Sequence, residues 1–275
     1  GKVAQNSSMA EPATELQAPS STARAMEFEQ PLTESMRTFL RIELLHQQAL
    51  FHAEDPTELS ARAAVSSLLE VLTILGRGDV RAEIIKELKR QGEILTSFTR
   101  QPGVDPARLQ GLVDDVQKLR DRLTDSGPQF IHPLKECNFL NAIKHRSSIP
   151  GGTCKFDLPD YGYWLRLPDE ERTKQFQEWL EIIRPVCDAV TQVLWLTREV
   201  NQPTEQTAIQ GMYQHNMGRR LKPNLVRIVL SAAGGIYPEI SAGKHRFTVR
   251  FVKWQGIDLR PVQVDRDVRF LLALC

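Results

Sequence analysis

The sequence predicts an α+β protein: an N-terminal helical domain joined to a mostly antiparallel β-domain. Three observations predict it. Up to Arg146 the apolar residues recur with a helical period. At Arg146–Pro159 they begin to alternate with a period of two, across the turn Ile149-Pro150-Gly151-Gly152. There proline presets one backbone angle and two glycines permit angles that other residues avoid. From Thr207 onward, alternating segments follow one another with no helical pattern between them, so their sheet is expected to be antiparallel.

In chain order, residues 1–25 are rich in Ser, Ala, Gln, Pro and Glu with almost nothing to bury, and are expected to form a flexible leader. Met9 within it is a candidate native start, Gly1–Ser8 then being an expression remnant. Order is expected from near Phe28. Thr33 caps a helix whose inner face holds Met36, Phe39, Leu40, Leu44 and Leu45. Asp55-Pro56 reads as an N-cap followed by proline at the first helical position, opening a helix through Leu59, Leu68, Leu69, Leu72 and Leu75. Gly76-Arg77-Gly78-Asp79 ends that helix and caps the next, which runs through Val80, Ile84, Leu88, Leu95 and Phe98. Asp105-Pro106 repeats the start signal for a helix carrying Leu109, Leu112, Val113, Val116, Leu119 and Leu123. A short helix is expected over Pro133–Lys144.

Beyond the Pro-Gly-Gly turn, Thr153–Leu158 alternates as a strand, with aromatic-rich Tyr161–Trp164 a candidate continuation. Asp169 caps a long helix through Phe176, Trp179, Leu180, Ile183, Val190 and Leu194, which Pro185 is expected to kink or split. Leu225–Ser231, His245–Trp254 and Val262–Leu272 alternate as strands, with turns at Ala233-Gly234-Gly235 and Ser241–Lys244. The long helix packing back on the earlier bundle makes the expected domains discontinuous: 26–147 with 169–200 helical, and 148–168 with 201–275 β.

A chain of 275 residues with 41% hydrophobic content can build a real core. Its net charge of +1 hides an asymmetry: from Asn201 to Cys275 eleven basic residues face five acidic ones, a net +6, which leaves −5 on the remainder. A basic module of this kind suits an acidic partner. The four cysteines (Cys137, Cys154, Cys187, Cys275) are far apart with no Cys-x-x-Cys pair, so free thiols in a reducing cytoplasm are expected, not a metal site or disulfide framework. No apolar run approaches the ~20 residues that span a bilayer, and no export signal is apparent.

Gly76-x-Gly78 lacks the third glycine and preceding strand of a nucleotide loop, and no Gly-Lys-Ser/Thr follows. His46 and His52 lie near Glu54 but without His-Glu-x-x-His spacing, and no Gly-x-Ser-x-Gly elbow occurs. Nothing here argues for catalysis, although a triad assembled from distant residues stays open. In His245–Trp254, Phe247, Val249 and Phe251 share one face and Arg246, Thr248 and Arg250 the other. Base-stacking sheets display aromatics and cations on the same face. Arg246 and Arg250 therefore suit an acidic protein or peptide better, with a nucleic-acid-binding module as the alternative. On the first helix Arg37 and Arg41 lie four residues apart on one face; Glu34 can pair with Arg37, which leaves Arg41 the freer.

Several separated motifs carry a resemblance: Phe28-Glu29-Gln30-Pro31-Leu32, Met36–Glu43, Arg146–Pro159, Gly211-x-Tyr213-Gln214-x-Asn216, Tyr237-Pro238-x-Ile240-Ser241 and Arg246-Phe247-x-x-Arg250-Phe251. In this order, from about Phe28 to Cys275, the chain resembles the ZapD family of bacterial cell division proteins. The resemblance implies a helical domain joined to a β-domain, assembled as a symmetric homodimer. It implies a cytoplasmic protein that is recruited to the midcell division ring, needs no cofactor, and binds the carboxy-terminal tail of FtsZ largely through basic residues. Such a dimer presents two copies of its binding surface and can cross-link filaments. Arg41 matches an arginine of the family's binding surface, and Arg37 and Arg146 are candidates by proximity to matched motifs. At Asn138 and Gly162 the chain departs from basic positions of the family, so Lys135, Lys144 and His145 are expected to supply charge instead. No nucleic acid and no membrane insertion are expected.

Overall fold

The computed structural model describes residues 25–98, 103, 105–218, 223–231, 234–243 and 245–275. The expected leader, residues 1–25, thus lies outside the described residues except for Ala25. The elements run β1 (Ala25–Pro31), α1 (Glu34–Ala53), α2 (Glu58–Leu75), α3 (Val80–Phe98), α4 (Pro106–Asp125), α5 (His132–Lys135), α6 (Asn138–Arg146), α7 (Pro159–Trp164) and α8 (Asp169–Val200). Strands follow: β2 (Thr204–Ala208), β3 (Met212–Asn216), β4 (Leu225–Ser231), β5 (Ile236–Ala242), β6 (Arg246–Lys253), β7 (Val262–Gln263) and β8 (Val268–Leu274). The class is α+β, as the periodicities predict.

Two compact units form. The helical unit comprises residues 30–202 with 223–226 and 274–275; the β-unit holds the described residues among 1–29, 203–222 and 227–273.

Within the helical unit, the starts follow local side-chain chemistry. The Thr33 hydroxyl accepts from the Met36 N–H at 3.2 Å, and the Asp105 carboxylate from Ala107 and Arg108 at 2.9 and 3.3 Å. Asp79 accepts from Ala82 at the start of α3. Each such cap is worth roughly 1 kcal/mol. Two expected starts shift. α2 is capped by Thr57, because Asp55 instead accepts from the Thr57 N–H and the Ser60 hydroxyl, both at 2.9 Å, and pre-forms the turn. α8 is preceded by Pro168, and Asp169, its first residue, pairs with Arg172 at 3.0 Å.

α8 is the centre of this unit, contacting α1, α3 and α4. Phe176, Leu180, Ile183, Val186, Val190 and Leu194 bury one face of it. Pro185 neither splits nor ends it: burial of Ile183, Val186 and Cys187 around the proline holds the chain helical despite the missing N–H. Polar contacts fix the register of its neighbours. Buried Gln91 on α3 donates to the Val193 carbonyl at 3.0 Å and the Thr197 hydroxyl at 3.1 Å. Arg198 grips Glu43 on α1 with two 2.8 Å bonds. Charge-assisted bonds of this kind contribute about 1.5–3 kcal/mol. Buried Arg172 donates to the carbonyls of Pro56, Leu165 and Leu167, tying the α1–α2 turn to the α7–α8 turn.

Several expectations are corrected here. Thr153–Leu158 is not a strand: Cys154, Asp157 and Leu158 bond back locally to Gly151 and Cys154, and Phe156 is 86% exposed. Tyr161–Trp164 continues no strand either. It is α7, and Tyr161, Trp164 and Leu165 bury with a helical spacing. Residues 148–168 accordingly fall in the helical unit rather than with the β-strands. The single helix expected over Pro133–Lys144 is two, α5 and α6, separated at Glu136 and Cys137. Leu44 on α1 and Leu59 on α2 lie on the solvent side, 55% and 78% exposed, because the buried stripe of α1 runs Met36, Phe39, Ile42, Ala49 and that of α2 runs Ala61, Ala64, Val65, Leu68. The Pro-Gly-Gly turn is as the sequence suggests: Gly151 has φ +69°, and a Cβ on Gly152 would collide with the Arg146 carbonyl.

The β-unit contains two four-stranded sheets, ordered β1-β4-β8-β2 and β3-β6-β5, with β7 added to β6. β2 pairs antiparallel with β8 from Thr204↔Leu272 to Ala208↔Val268, and β6 pairs antiparallel with β3, β5 and β7. Strands β1 and β5 carry no clear alternation and emerge only through pairing. The expected strand Val262–Leu272 is two, β7 and β8, interrupted at 264–267. Phe247, Val249, Phe251 and Phe270 are buried, with Phe251 and Phe270 centroids 5.0 Å apart. The β2–β3 turn depends on Gly211, whose φ is +73° and whose Cβ would overlap the Val264 carbonyl oxygen.

Gly211→Ala is expected to destabilise the protein by about 1–3 kcal/mol, from left-handed strain plus the clash; unchanged chemical denaturation would refute this role. A second expectation concerns pH. Burial lowers the His46 pKa below 6.5, with Asp188 opposing and Arg184 adding to the shift. The unfolded chain then binds the proton more tightly, so stability is full above about pH 6.5 and declines as pH falls through the folded value. Melting temperature should drop between about pH 7.5 and 5.5, and His46→Gln should flatten that slope; an equal slope in the variant would dismiss His46 as its cause.

Candidate functional site

Seven basic residues are the sequence's candidates, and the fold sorts them by whether their charge is already spent. On α1, Arg37 lies 3.4 Å from Glu34, at ion-pair distance without an aligned hydrogen bond. Arg41, one turn on, is exposed and has no ion-pair partner among the described residues. It stands on a solvent-facing stripe spaced four, three, four and three residues apart: Arg37, Arg41, Leu44, Gln48 and Phe51. Leu44 is 55% and Phe51 71% exposed, so this helix offers cations at one end of the stripe and apolar side chains at the other.

Arg146 is engaged. It approaches Asp157 at 3.6 Å, and Asp157 also accepts from the Cys154 thiol at 3.3 Å. Arg62 on α2 donates to the Thr153 carbonyl at 2.9 Å and lies 4.9 Å from the Tyr161 ring centroid, while Lys155 pairs with Glu58 at 3.3 Å. The Arg146–Pro159 segment is therefore a turn-rich loop pinned to α2, and its polar residues hold it there. Burial pushes the Tyr161 hydroxyl up to about 12, with Arg62 opposing that shift and Glu58 adding to it.

Lys144, His145 and Arg146 form the last turn of α6, where the negative end of a helix dipole favours cations. Successive helical positions diverge by about 100°, so the three point apart. Only Lys144 joins a groove of about 450 Å³ between α2, α5 and α6. Lys135, from the last turn of α5, and Arg77, just beyond the C-cap of α2, share it. Leu69, Leu72, Leu134 and Leu140 line it from below, with Thr73 and Asn141 beside them. Arg77 was legible in the sequence only as part of a helix-stop signal; its meeting with Lys135 and Lys144 depends on three helix ends converging.

In the β-unit, Arg250 is clamped to Glu239 on the neighbouring strand, so its charge is shared. Arg246 is exposed and has no ion-pair partner among the described residues. Phe247 and Phe251 are fully buried behind these arginines, out of reach of a nucleic-acid base. No group of three or more His, Cys, Asp or Glu poised for a metal occurs among the described residues. No single described helix is long and apolar enough to cross a membrane.

The class is thus a two-unit α+β protein that presents unpaired cations beside leucine-lined surfaces. The ZapD family model, described as a cell division protein, matches residues 40–250. Cell division protein ZapD of Escherichia coli O17:K52:H18 is 37% identical over 248 residues, spanning 90% of this chain and 98% of its own. That of Shigella boydii serotype 4 matches equally, and that of Aromatoleum aromaticum is 35% identical over 90% of this chain and 96% of its own. The chain belongs to the ZapD family of cell division proteins, and its role is in cell division.

Proposed function

We propose that this protein binds the carboxy-terminal tail of FtsZ through exposed cations and, as a cytoplasmic homodimer at the midcell ring, cross-links FtsZ filaments without catalysis or cofactor. The observation that carries the reading is Arg41, the cation that matches the family's binding surface and that remains exposed and without an ion-pair partner among the described residues. Leu44 beside it adds apolar area that an interface core can use. Arg37, Arg146 and Arg250 already neutralise acids of this chain, so they contribute less; Arg246, Lys144 and His145 stay available. Two modest sites on a twofold dimer suffice for bridging, because the tails of one filament raise the effective concentration at the next. Against the nucleic-acid alternative stands the burial of the β6 phenylalanines.

Co-sedimentation with polymerised FtsZ, with and without its tail, tests the proposal. Arg41→Glu should weaken binding about tenfold or more, equivalent to ~1.4 kcal/mol, while stability changes by no more than ~1 kcal/mol, as for any exposed charge. Unchanged pelleting of a folded variant would remove Arg41 from the site.

Salt and valency give a further test. The Debye length shrinks from about 10 Å at 0.1 M to about 3 Å at 1 M, so each contact weakens with salt. Bundling needs both sites of a dimer, so light scattering should collapse at lower salt than pelleting does, and excess free tail peptide should dissolve bundles while filaments persist. Bundles that survive high salt and ignore the peptide would sink electrostatic tail capture, and a stable monomer in sedimentation equilibrium would sink the valency argument.

A further inference from the structure

The loop between β6 and β7 runs Lys253-Trp254-Gln255-Gly256-Ile257-Asp258-Leu259-Arg260. Trp254, Ile257 and Leu259 are 56%, 89% and 61% exposed, and Ile257 is the most exposed large apolar side chain among the described residues. The core beneath has no need of them: Phe251 and Val252 are fully buried and Val264 nearly so. Nor is the base of the loop loose. β6 and β7 pair through Val252↔Gln263 and Lys253↔Val262. The Val264 N–H donates to the Phe251 carbonyl at 3.0 Å, and the Trp254 N–H to the Gly235 carbonyl at 2.9 Å. The chain reverses near Gly256, at φ +96°. A fixed base thus carries a projecting apolar tip. Lys253 and Arg260 bracket that tip, both exposed and without an ion-pair partner among the described residues. Asp258 is the one acid in the loop.

We infer that this loop docks the protein peripherally on an anionic lipid surface: Trp254, Ile257 and Leu259 enter the headgroup boundary while Lys253 and Arg260 meet lipid phosphates. Interfacial anchors combine apolar side chains with neighbouring cations, and tryptophan in particular settles at headgroup level. The sign of the charge matches. Residues 201–275 hold eleven basic side chains against five acidic ones, and an anionic leaflet attracts cations held near it. The shape favours a bilayer over a folded protein. A protein interface packs its apolar centre to interior density inside a polar rim. Here three apolar side chains stand far out on a short loop, and a fluid interface receives such a tip without a preformed pocket. Asp258 sets the depth, because a carboxylate carried into hydrocarbon is costly. The tip therefore rests at the headgroup level and the contact is reversible. No single described helix is long and apolar enough to cross a membrane, so the contact stays at the surface. It is also independent of tail capture, since none of these residues belongs to that site.

The test pellets the full chain with sucrose-loaded vesicles at moderate salt, either equal parts phosphatidylglycerol and phosphatidylcholine or phosphatidylcholine alone. The wild-type chain should partition about tenfold or more in favour of the anionic vesicles. Ile257→Ser/Leu259→Ser and Lys253→Gln/Arg260→Gln should each lose about tenfold or more of that binding, and Asp258→Asn should strengthen it. Circular dichroism checks folding, and Ile257→Ser alone replaces the double serine variant if the latter fails to fold. Bromine atoms on the lipid acyl chains should quench wild-type tryptophan emission, and Trp254→Phe should remove that quenching. A wild-type chain that ignores anionic vesicles would overturn the proposal, as would equal binding by the folded serine variant. Equal binding to the two vesicle types would remove the role of Lys253 and Arg260 and overturn it too. A wild-type chain that ignores vesicles but self-associates in sedimentation equilibrium, where the serine variant is monomeric, would assign the loop to a second copy of this chain instead.

Discussion

Burial of one face of α8 is the constraint on which the helical unit depends. Alone, a 32-residue helix interrupted by Pro185 would fray or bend. Packed by α1, α3 and α4, it hides Phe176, Leu180, Ile183, Val186, Val190 and Leu194, and each such side chain contributes about 1.5–3 kcal/mol when fully buried. That gain offsets the proline. It also gives α1, α3 and α4 a shared partner. The polar contacts on α8, Gln91 to Val193 and Thr197 and Arg198 to Glu43, add direction to this burial: they fix rotation and register where leucines alone would tolerate slippage.

Electrostatics in this chain separate into spent and unspent charge. Arg62, Arg172, Arg198 and Arg227 serve the fold, reaching carbonyls or carboxylates across turns, helices and strands. Arg41, Arg77, Lys135, Lys144 and Arg246 have no such partner among the described residues. The distinction matters because an exposed ion pair stabilises by only about 0–1 kcal/mol, so little folding energy is lost by leaving a cation free. A ligand carboxylate arriving at a partly desolvated groove gains more than the same carboxylate would in open water. Charge count therefore says little about where a partner docks, whereas the list of satisfied partners says a great deal.

The segments that carry the family resemblance turn out to be geometric devices as much as contact surfaces. Arg146–Pro159 is a loop whose Gly151 and Gly152 allow a tight reversal and whose Arg146, Lys155 and Asp157 fasten it. The Gly211 motif closes the β2–β3 turn against Val264, with the Gln210 N–H held by Asp267 at 2.9 Å. At both places the backbone geometry restricts which residues fit, and that is a separate matter from binding.

By itself the sequence determined what depends on neighbours a few residues away. The α+β class, the caps at Thr33, Asp79 and Asp105, the Pro-Gly-Gly turn, strand β4, strand β6 with its phenylalanines inward, and the exposure of Arg41 all follow from local spacing and side-chain chemistry. Only the tertiary structure decided the rest. Thr153–Leu158 alternates like a strand yet finds no partner strand, so its backbone bonds to itself and Phe156 points outward. Strands β1 and β5 lack alternation and exist because β4 and β6 supply the ladder. Leu44 reads as core until the neighbours of α1 define which face is inner. Arg250 reads as free until Glu239, eleven residues away, arrives opposite it on β5. The groove of Arg77, Lys135 and Lys144 has no sequence signature, since its three charges are separated by up to 67 positions and meet only where three helix ends converge. Local chemistry is written along the chain; pairing, facing and convergence are long-range, and folding alone assigns them.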